Sequence, residues 1–364
     1  MEHKTPHLLV DLHQVAANYQ QLVAAFPGVR MHYAMKCNPT VKILECVKNH
    51  NGFFEIASLS ELRDLQAIGV NPKDVLFSNP VKMASHIQAA HEAGLYRFAF
   101  DGQQELDKIA RYAPGTSVYV RLSANGTNGV VPSEGKFGID NIAAADLMVR
   151  AVSLGLKPYG ITFHVGSQTL NAQKWVRAIQ NAAELMTVLL EKDIKIEMLD
   201  MGGGLPASYH GDNINIPAMA EIIMKGLTKH LPYPVPHLVM EPGRALVANT
   251  GIMVTSVIGA AKRGTTHWVH LDVGAFNGMM EALESQNALL FPMTDSKQSR
   301  AKRKYAVTGP SCDSQDTILF NVELSDDLDI GDNVFIHSAG AYTTSYASNF
   351  NGFDIPATLI KPSH

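Results

Sequence analysis

The stretch of sequence that decides the fold is Tyr33-Ala34-Met35-Lys36-Cys37-Asn38-Pro39. It places one lysine at the end of a short apolar run, Met31 to Met35, just before a loop and a helical pattern that starts at Thr40. A lysine at the end of a strand is ordinarily a solvated surface group. Lys36 has a different context, because four other unusual segments follow it in order.

The four segments carry groups that suit one kind of chemistry. They are Phe163-His164-Val165-Gly166-Ser167, Asp200-Met201-Gly202-Gly203-Gly204, Glu241-Pro242-Gly243-Arg244 and Gly309-Pro310-Ser311-Cys312-Asp313. With Lys36 they supply an amine that can form an imine, an imidazole that can stack on a ring, glycines that can line an anion cradle, a carboxylate and a thiol. This set suits the chemistry of pyridoxal phosphate.

The composition bounds the size and class of the protein. A chain of 364 residues is longer than one hydrophobic core usually serves, which predicts two domains. The net charge of −4 gives no reason to propose a nucleic-acid partner. No apolar stretch is long enough to span a bilayer, and Met1-Glu2-His3-Lys4 does not begin a signal peptide. We therefore expect a cytoplasmic protein with no membrane partner.

The cysteines and histidines indicate neither disulfides nor a metal site. Cys37, Cys46 and Cys312 are irregularly spaced. The 15 histidines are scattered, and no pair has ligand-like spacing with a carboxylate between its members. We expect reduced thiols and no metal.

Eight β-type runs alternate with helical patterns over roughly 220 residues, which matches a (β/α)8 barrel, the TIM-barrel fold, in count and size. The runs are Met31–Lys36, Phe53–Ala57, Val75–Ser78, Arg97–Phe100, Val118–Leu122, Gly160–His164, Met198–Met201 and Leu238–Glu241. The clearest helical patterns are Ala172 to Lys192 and the capped segment from Ser58 to Ile68. A doubly wound sheet is the alternative, but no G-x-G-x-x-G follows the first strand.

After Arg244 the pattern changes to closely spaced apolar runs with little helix between them. The runs are Ile252–Ile258, Trp268–Asp272, Tyr305–Val307, Thr317–Phe320 and Val334–Ile336. They predict a mostly antiparallel β domain of barrel or sandwich type, which His7–Leu12 joins. The basic stretch from Lys297 to Lys304 is interpreted as a solvated loop. The predicted barrel domain spans residues 25–248, and the predicted β domain spans residues 1–24 and 249–364.

Chemical residues of a TIM barrel lie at the carboxyl ends of its strands. The candidates that end a predicted strand are Lys36, Glu55, Arg121, His164, Gly202–Gly204 and Glu241–Arg244. In their order and combination, the motifs from Tyr33 to Phe353 resemble the fold-type III pyridoxal-phosphate decarboxylases, the family of ornithine, lysine, arginine and diaminopimelate decarboxylases. The chain is most similar to the bacterial ornithine decarboxylases of this family. The resemblance implies pyridoxal 5'-phosphate as the cofactor.

The resemblance also implies roles for the residues around the cofactor ring. Lys36 matches the Schiff-base lysine, which holds the cofactor and can later act in proton transfer. Glu241 matches the carboxylate that faces the pyridine nitrogen and keeps it protonated, and His164 matches the histidine that stacks on the ring. Arg121 and Glu61 match positions near the cofactor and the lysine. Glu55 stands where most relatives have Asp, so its side chain is one methylene longer.

Further residues match the parts of the family's site that hold the phosphate and the substrate. The phosphate cup corresponds to Ser167, Gly202, Gly203, Gly204, Gly243, Arg244 and Tyr342. Cys312 matches the candidate proton donor and Asp313 a contact for the substrate side chain. In the family this segment reaches the active site of the other subunit, which implies a homodimer with shared sites.

The substrate implied by the resemblance is a basic L-amino acid with a distal amine, ornithine ahead of lysine, as in polyamine biosynthesis. Asp313 follows Cys312, where relatives that act on diaminopimelate carry Glu. Glu284 takes the place of the family's distal-amine carboxylate, usually an Asp. Arginine decarboxylases of the family are expected to be much longer, which argues against arginine. Three alternatives stay open: decarboxylation of a larger conjugate in a siderophore or antibiotic pathway, an alanine-racemase-like activity, and a non-catalytic regulatory homologue.

Overall fold

The computed structural model describes residues 4–124, 135–209, 213–286 and 288–362. They form two compact units. The first unit, called the barrel unit below, takes the described residues among 19–206 and 215–243. The second unit, called the β unit, takes the described residues among 1–18, 207–214 and 244–364.

Eight parallel strands close the barrel unit into a ring, in which each strand pairs with the next and the last pairs with the first. One strand of the β unit, β1 (His7–Val10), precedes them in the chain. The barrel strands are β2 (Val29–Ala34), β3 (Phe53–Ile56), β4 (Val75–Phe77), β5 (Arg97–Phe100), β6 (Ser117–Leu122), β7 (Lys157–Phe163), β8 (Met198–Asp200) and β9 (His237–Met240). The predicted TIM barrel is confirmed with all eight of its strands, and the doubly wound alternative is excluded.

Helices connect the successive barrel strands. They are α1 (Leu12–Ala25), α2 (Val41–Asn49), α3 (Leu59–Ala67), α4 (Ala84–Glu92), α5 (Gln103–Tyr112), α6 (Asn141–Ser153), α7 (Gln173–Leu190) and α8 (Ile216–His230), of which α1 precedes β2. Both predicted helices are present: α7 buries its apolar stripe, and the Ser58 side chain caps α3 by accepting from the Glu61 backbone N–H at 3.3 Å. Within the described ranges, no helix is long and apolar enough to cross a membrane.

The barrel interior is layered because side chains two residues apart on a strand face the same side. Leu76, Ala99, Tyr119, Met198 and Val239 form a buried cluster of the core. For each of these five residues, the residue two positions later is polar. The five apolar–polar pairs are Leu76 and Ser78, Ala99 and Asp101, Tyr119 and Arg121, Met198 and Asp200, and Val239 and Glu241. An apolar layer thus lies next to a polar layer at the carboxyl ends of the strands.

The β unit contains one eight-stranded sheet built on the long strand β10. Its strands are β1, β10 (Gly251–Arg263), β11 (Thr266–Leu271), β12 (Met293–Asp295), β13 (Lys302–Thr308), β14 (Thr317–Ser325), β15 (Asn333–Ile336) and β16 (Ala357–Ile360). The short helices α9 (Arg244–Val247) and α10 (Glu281–Glu284) also belong to this unit. Five of its seven strand pairings are antiparallel, and β1 pairs with β10 and β16.

The mostly antiparallel sheet and the contribution of the N-terminal strand are therefore confirmed. The loop interpretation of residues 297–304 is wrong at its end, because β13 begins at Lys302. Strand pairing with β14 satisfies the backbone of this basic segment, while the side chains of Lys302, Arg303 and Lys304 stay exposed.

Candidate active site

A cavity of about 660 Å³ opens at the carboxyl ends of the barrel strands. Five residues that the sequence predicted for the site line it. They are Lys36, Glu55, Arg121, His164 and Glu241. Each comes from a different strand end, so the closure of the barrel brings together groups that are up to about two hundred residues apart in the chain. The sequence-based selection of strand-end residues thus identifies side chains that share one cavity.

Lys36 lies in a single turn of 3-10 helix, Met35–Cys37, that follows β2 directly. Its side chain is 47% exposed, whereas its partner Glu55 on β3 is 2% exposed, and Lys36 Nζ lies 3.4 Å from Glu55 Oε2. The negative charge of Glu55 raises the pKa of the Lys36 amine. Burial raises the pKa of Glu55 to about 7, although Lys36 opposes this shift. The longer acid at this position therefore contacts the lysine directly.

Glu241 and Asp200 form a second buried acidic group at the cavity. Glu241 Oε1 accepts a hydrogen bond from Ser78 Oγ at 2.5 Å. Asp200 accepts from Thr162 Oγ1 at 2.8 Å and from the Gly202 backbone N–H at 2.9 Å. Burial, together with the neighbouring Asp200, raises the pKa of Glu241 to about 8, and burial raises the pKa of Asp200 to about 6. Perturbed acids in a cleft are typical of catalytic sites.

His164 and Arg121 complete the polar wall of the cavity. The Gly166 backbone N–H donates to His164 Nδ1 at 3.1 Å, so this nitrogen is an acceptor. Burial lowers the pKa of His164 to about 3, with Arg121 and Lys36 adding to the shift. The imidazole is thus neutral near neutral pH. The Arg121 guanidinium lies 5.2 Å from the ring centroid of Phe137, which also lines the cavity.

The glycine run after β8 packs directly against this cavity. Gly202 has φ 62°, and a Cβ there would overlap the Phe163 carbonyl oxygen. A Cβ on Gly203 would lie 2.7 Å from the Glu241 carbonyl oxygen and 3.3 Å from His164 Nε2. Only glycine allows this backbone to approach so closely. Ser167 lies in the loop after β7, and the buried Gly243 lies just after β9.

The β unit holds two of the predicted phosphate contacts, Arg244 and Tyr342, in one cluster. Buried Arg244 donates from Nη1 to the Tyr209 hydroxyl at 2.5 Å and to Glu281 Oε2 at 2.7 Å, and from Nη2 to Glu281 Oε1. Its guanidinium carbon lies 5.2 Å from the Tyr342 ring centroid. The bidentate carboxylate and the aromatic rings fix the plane of the guanidinium.

The predicted substrate and proton-donor residues, Cys312 and Asp313, are exposed on a loop of the β unit. Asp316 anchors this loop, since its buried carboxylate accepts from the Ser311 N–H at 2.9 Å and from the Ala275 N–H at 2.7 Å. Asn351 Nδ2 lies 3.5 Å from Cys312 Sγ. Cys312 is therefore presented on a rigidly held turn.

On α10 the structure distinguishes two acids that the sequence could not. Glu284, the predicted reader of the distal amine, is exposed. Glu281, which the sequence did not suggest, is 3% exposed and pairs with Arg244. The other residues missed at the site are Ser78, Tyr119, Thr162 and Asp200. Asp200 ends β8 and opens a motif quoted above, so the strand-end rule that found Lys36 could have found it.

Three comparisons with known proteins indicate one family. Residues 12–248 match the pyridoxal binding domain of pyridoxal-dependent decarboxylases. The chain is 35% identical to the lysine/ornithine decarboxylase of Selenomonas ruminantium over 360 residues, 98% of this chain and 89% of the relative. The lysine/ornithine decarboxylase of Vibrio vulnificus, solved with cadaverine, superposes with a TM-score of 0.91 at 31% identity, over 100% of this chain and 96% of that one.

A viral relative corrects one expectation. The arginine decarboxylase of Paramecium bursaria Chlorella virus superposes with a TM-score of 0.92 at 28% identity, over 99% of this chain and 96% of that chain. The expectation that arginine decarboxylases are much longer is wrong for this enzyme. Length therefore does not argue against arginine as a substrate.

The residues present fit pyridoxal phosphate. The cavity offers a primary amine beside a carboxylate, a neutral imidazole and a buried acid. The glycine backbone packs closely beside these groups, where a Cβ on Gly202 or Gly203 would meet a backbone carbonyl oxygen. Amine, imidazole and acid are the groups that bind and tune this cofactor. With the match over residues 12–248 and 35% identity to a relative along nearly its full length, the chain belongs to the family of pyridoxal-dependent decarboxylases.

Proposed function

We propose that the chain is a homodimeric decarboxylase of a basic L-amino acid, ornithine or lysine. One observation carries this proposal: a single cavity joins the Lys36 amine, the neutral His164 imidazole and the buried acid Glu241. The relatives with lysine/ornithine decarboxylase in their names support the choice of substrates. Cytoplasmic residence stays a prediction.

Each cavity residue has a proposed task toward the cofactor. Bound pyridoxal phosphate supplies an electron sink for the electron pair that remains when CO₂ leaves. Lys36 Nζ would hold the cofactor covalently, and Glu55 keeps that amine ordered in the free protein. Glu241 would accept a hydrogen bond from the pyridine nitrogen, and His164 would lie against the ring. Because His164 is neutral, it adds no positive charge that would compete with a protonated ring.

The remaining task is to deliver a proton to the substrate Cα after CO₂ has left. We propose Cys312 Sγ as the donor, contributed by the partner subunit, with Asp313 beside the substrate side chain. Both side chains are exposed on the anchored loop of the β unit, as groups destined for a partner's site must be. Arg244 and Tyr342 keep the phosphate-binding role that the resemblance implies.

A panel of amino acids tests the function. Purified protein with pyridoxal phosphate should release CO₂ and the corresponding amine from ornithine or lysine. Turnover of arginine alone would keep the reaction and change the substrate. Turnover of a larger conjugate alone would favour the conjugate alternative, and loss of stereochemistry without CO₂ would favour a racemase. No reaction with any of them would favour the non-catalytic alternative.

We predict that Glu284 sets the preference between the two diamino acids. A carboxylate that faces the distal ammonium stabilises it through a charge-assisted hydrogen bond. Because Glu is one methylene longer than the usual Asp, ornithine should be preferred. Glu284→Asp should shift the ratio of the two kcat/KM values toward lysine, and Glu284→Gln should lower both by roughly 10-fold or more.

Glu281→Gln provides a matched control on the same short helix. Glu281 pairs with Arg244, so its loss should weaken cofactor binding and leave the ornithine-to-lysine ratio unchanged. If Glu281→Gln changes the ornithine-to-lysine ratio of kcat/KM and neither Glu284 variant does, then Glu284 does not bind the distal amine.

We also predict that the active sites are shared between subunits. Inactive Lys36→Ala protein mixed with inactive Cys312→Ala protein should regain activity once the subunits exchange. Random mixing makes half of the dimers heterodimers, each with one intact site, so about a quarter of wild-type activity is expected. Subunit exchange shown by a mass-tagged partner, without any recovery, would place both residues of a site in one chain.

A further inference from the structure

We propose that Ser78 and Tyr119 are positioning residues for Glu241, and that Tyr119 acts through Ser78. The proposal rests on the family's cofactor and is independent of which amino acid is the substrate. Three side chains from three barrel strands carry it: Ser78 follows β4, Tyr119 lies on β6 and Glu241 follows β9.

The three groups form a continuous chain of hydrogen bonds in the barrel interior. Ser78 Oγ lies 2.5 Å from Glu241 Oε1, and the Tyr119 hydroxyl lies 2.9 Å from Ser78 Oγ. Tyr119 is fully buried, and Ser78 and Glu241 are each 8% exposed. An ionised carboxylate only accepts, so the single hydroxyl hydrogen of Ser78 goes to Glu241. Tyr119 must then be the donor to Ser78.

The direction of this chain matters because the surroundings of Glu241 oppose its ionised form. Asp200 on β8 contributes a second negative charge and a side-chain hydrogen bond, and both favour the protonated form of Glu241. Burial and Asp200 raise the pKa of Glu241 to about 8, while Lys36 and the Ser78 hydroxyl lower it. Among the described residues, the other titratable or charged groups that line this cavity are Glu55, Arg121, Lys136 and His164. Hydrogen bonds aligned in series strengthen one another in a buried site.

The proposed role of Glu241 is to accept a hydrogen bond from the pyridine nitrogen of the cofactor. A neutral carboxyl group is a poorer acceptor for a positively charged donor than a carboxylate. By donating to Oε1, Ser78 favours the carboxylate and fixes its rotation. Tyr119 orients the Ser78 hydroxyl so that its hydrogen points to Glu241.

The test measures the affinity of the unloaded protein for pyridoxal phosphate at several pH values on both sides of 8, without any substrate. Ser78→Ala should weaken binding about tenfold, the usual cost of a lost hydrogen bond to a buried charge. Because Ser78 lowers the pKa of Glu241, the rise of affinity with pH should move to higher pH in this variant. Tyr119→Phe should also move the rise of affinity to higher pH, but by a smaller amount.

A double mutant tests whether Tyr119 acts on Glu241 through Ser78 or independently of it. If Tyr119 acts through Ser78, Tyr119→Phe should change nothing further in the Ser78→Ala background. Tyr233→Phe is the matched control, since it removes another barrel-unit hydroxyl, which accepts from the Ile196 N–H at 2.9 Å, and should leave the pH midpoint unchanged. If the alanine variant does not fold, Ser78→Cys can replace it, because a thiol is close in size to the hydroxyl group but is a weak hydrogen-bond donor. The pH midpoint of cofactor binding should then move in the same direction by a smaller amount.

Two results would overturn the proposal. Equal effects of Tyr119→Phe with and without Ser78 would show that the tyrosine does not act through the serine. A lower melting temperature with an unmoved pH midpoint in the Ser78 variants would reduce both residues to packing. An error in the proposed substrate would alter neither measurement.

Discussion

Lys36→Ala should abolish covalent attachment of pyridoxal phosphate and slow decarboxylation by roughly 10⁴-fold, the upper end for a positioned proton-transfer group. The reason is that Lys36 has both proposed tasks, holding the cofactor and moving protons beside it. In the wild-type protein, borohydride reduction should fix the cofactor to the peptide that contains Lys36. Absorbance spectra and peptide mass spectrometry measure both effects.

Two other lysines serve as comparisons for Lys36. Lys136 also lines the cavity, so it is the competitor for the label. Lys42→Ala is the control for turnover, because Lys42 is a 60% exposed lysine on α2 that forms an ion pair with its helix neighbour Glu45. It should retain wild-type rate and label. A label found on Lys136, or a covalent label that is still present in Lys36→Ala, would contradict the assignment of Lys36 as the cofactor-binding lysine.

The barrel and its cavity could be predicted because local pattern and closure point to the same residues. Charged residues at the carboxyl ends of barrel strands, such as Lys36 and Glu241, lie at the face where TIM barrels carry their active sites. The eight strand–helix units close into one ring of parallel strands, so residues far apart in sequence meet at the carboxyl ends of the strands. The two-residue periodicity that places Val239 in the core also places Glu241 beside the cavity.

The groups that support these residues could not be predicted in the same way. A serine at a strand end such as Ser78, or a tyrosine in a strand such as Tyr119, is common and carries no signal by itself. Their importance arises only from distances of 2.5 and 2.9 Å that the closed barrel creates. Similarly, Glu281 and Glu284 are three residues apart on a short helix, and only tertiary packing decides which of them is buried.

Cys312→Ala should slow turnover by roughly 10²–10⁴-fold, the usual contribution of a positioned general acid. If the thiol is the donor that protonates the substrate Cα, its loss should also allow protonation at a wrong carbon. A fraction of turnovers would then end in an aldehyde in place of the amine. The rate of CO₂ release and the ratio of aldehyde to amine, measured together, check the prediction.

Cofactor binding should separate a chemical role of Cys312 from a structural one. The loop that carries Cys312 is held by the Asp316 carboxylate through the backbone N–H groups of Ser311 and Ala275, and none of these bonds involves the thiol. Removing the sulfur should therefore leave the dissociation constant of pyridoxal phosphate and the melting temperature close to wild type. Cys46→Ala, on α2 of the barrel unit, is the matched cysteine control and should keep the wild-type rate and product. An unchanged rate with amine as the sole product in Cys312→Ala would mean that another group delivers the proton.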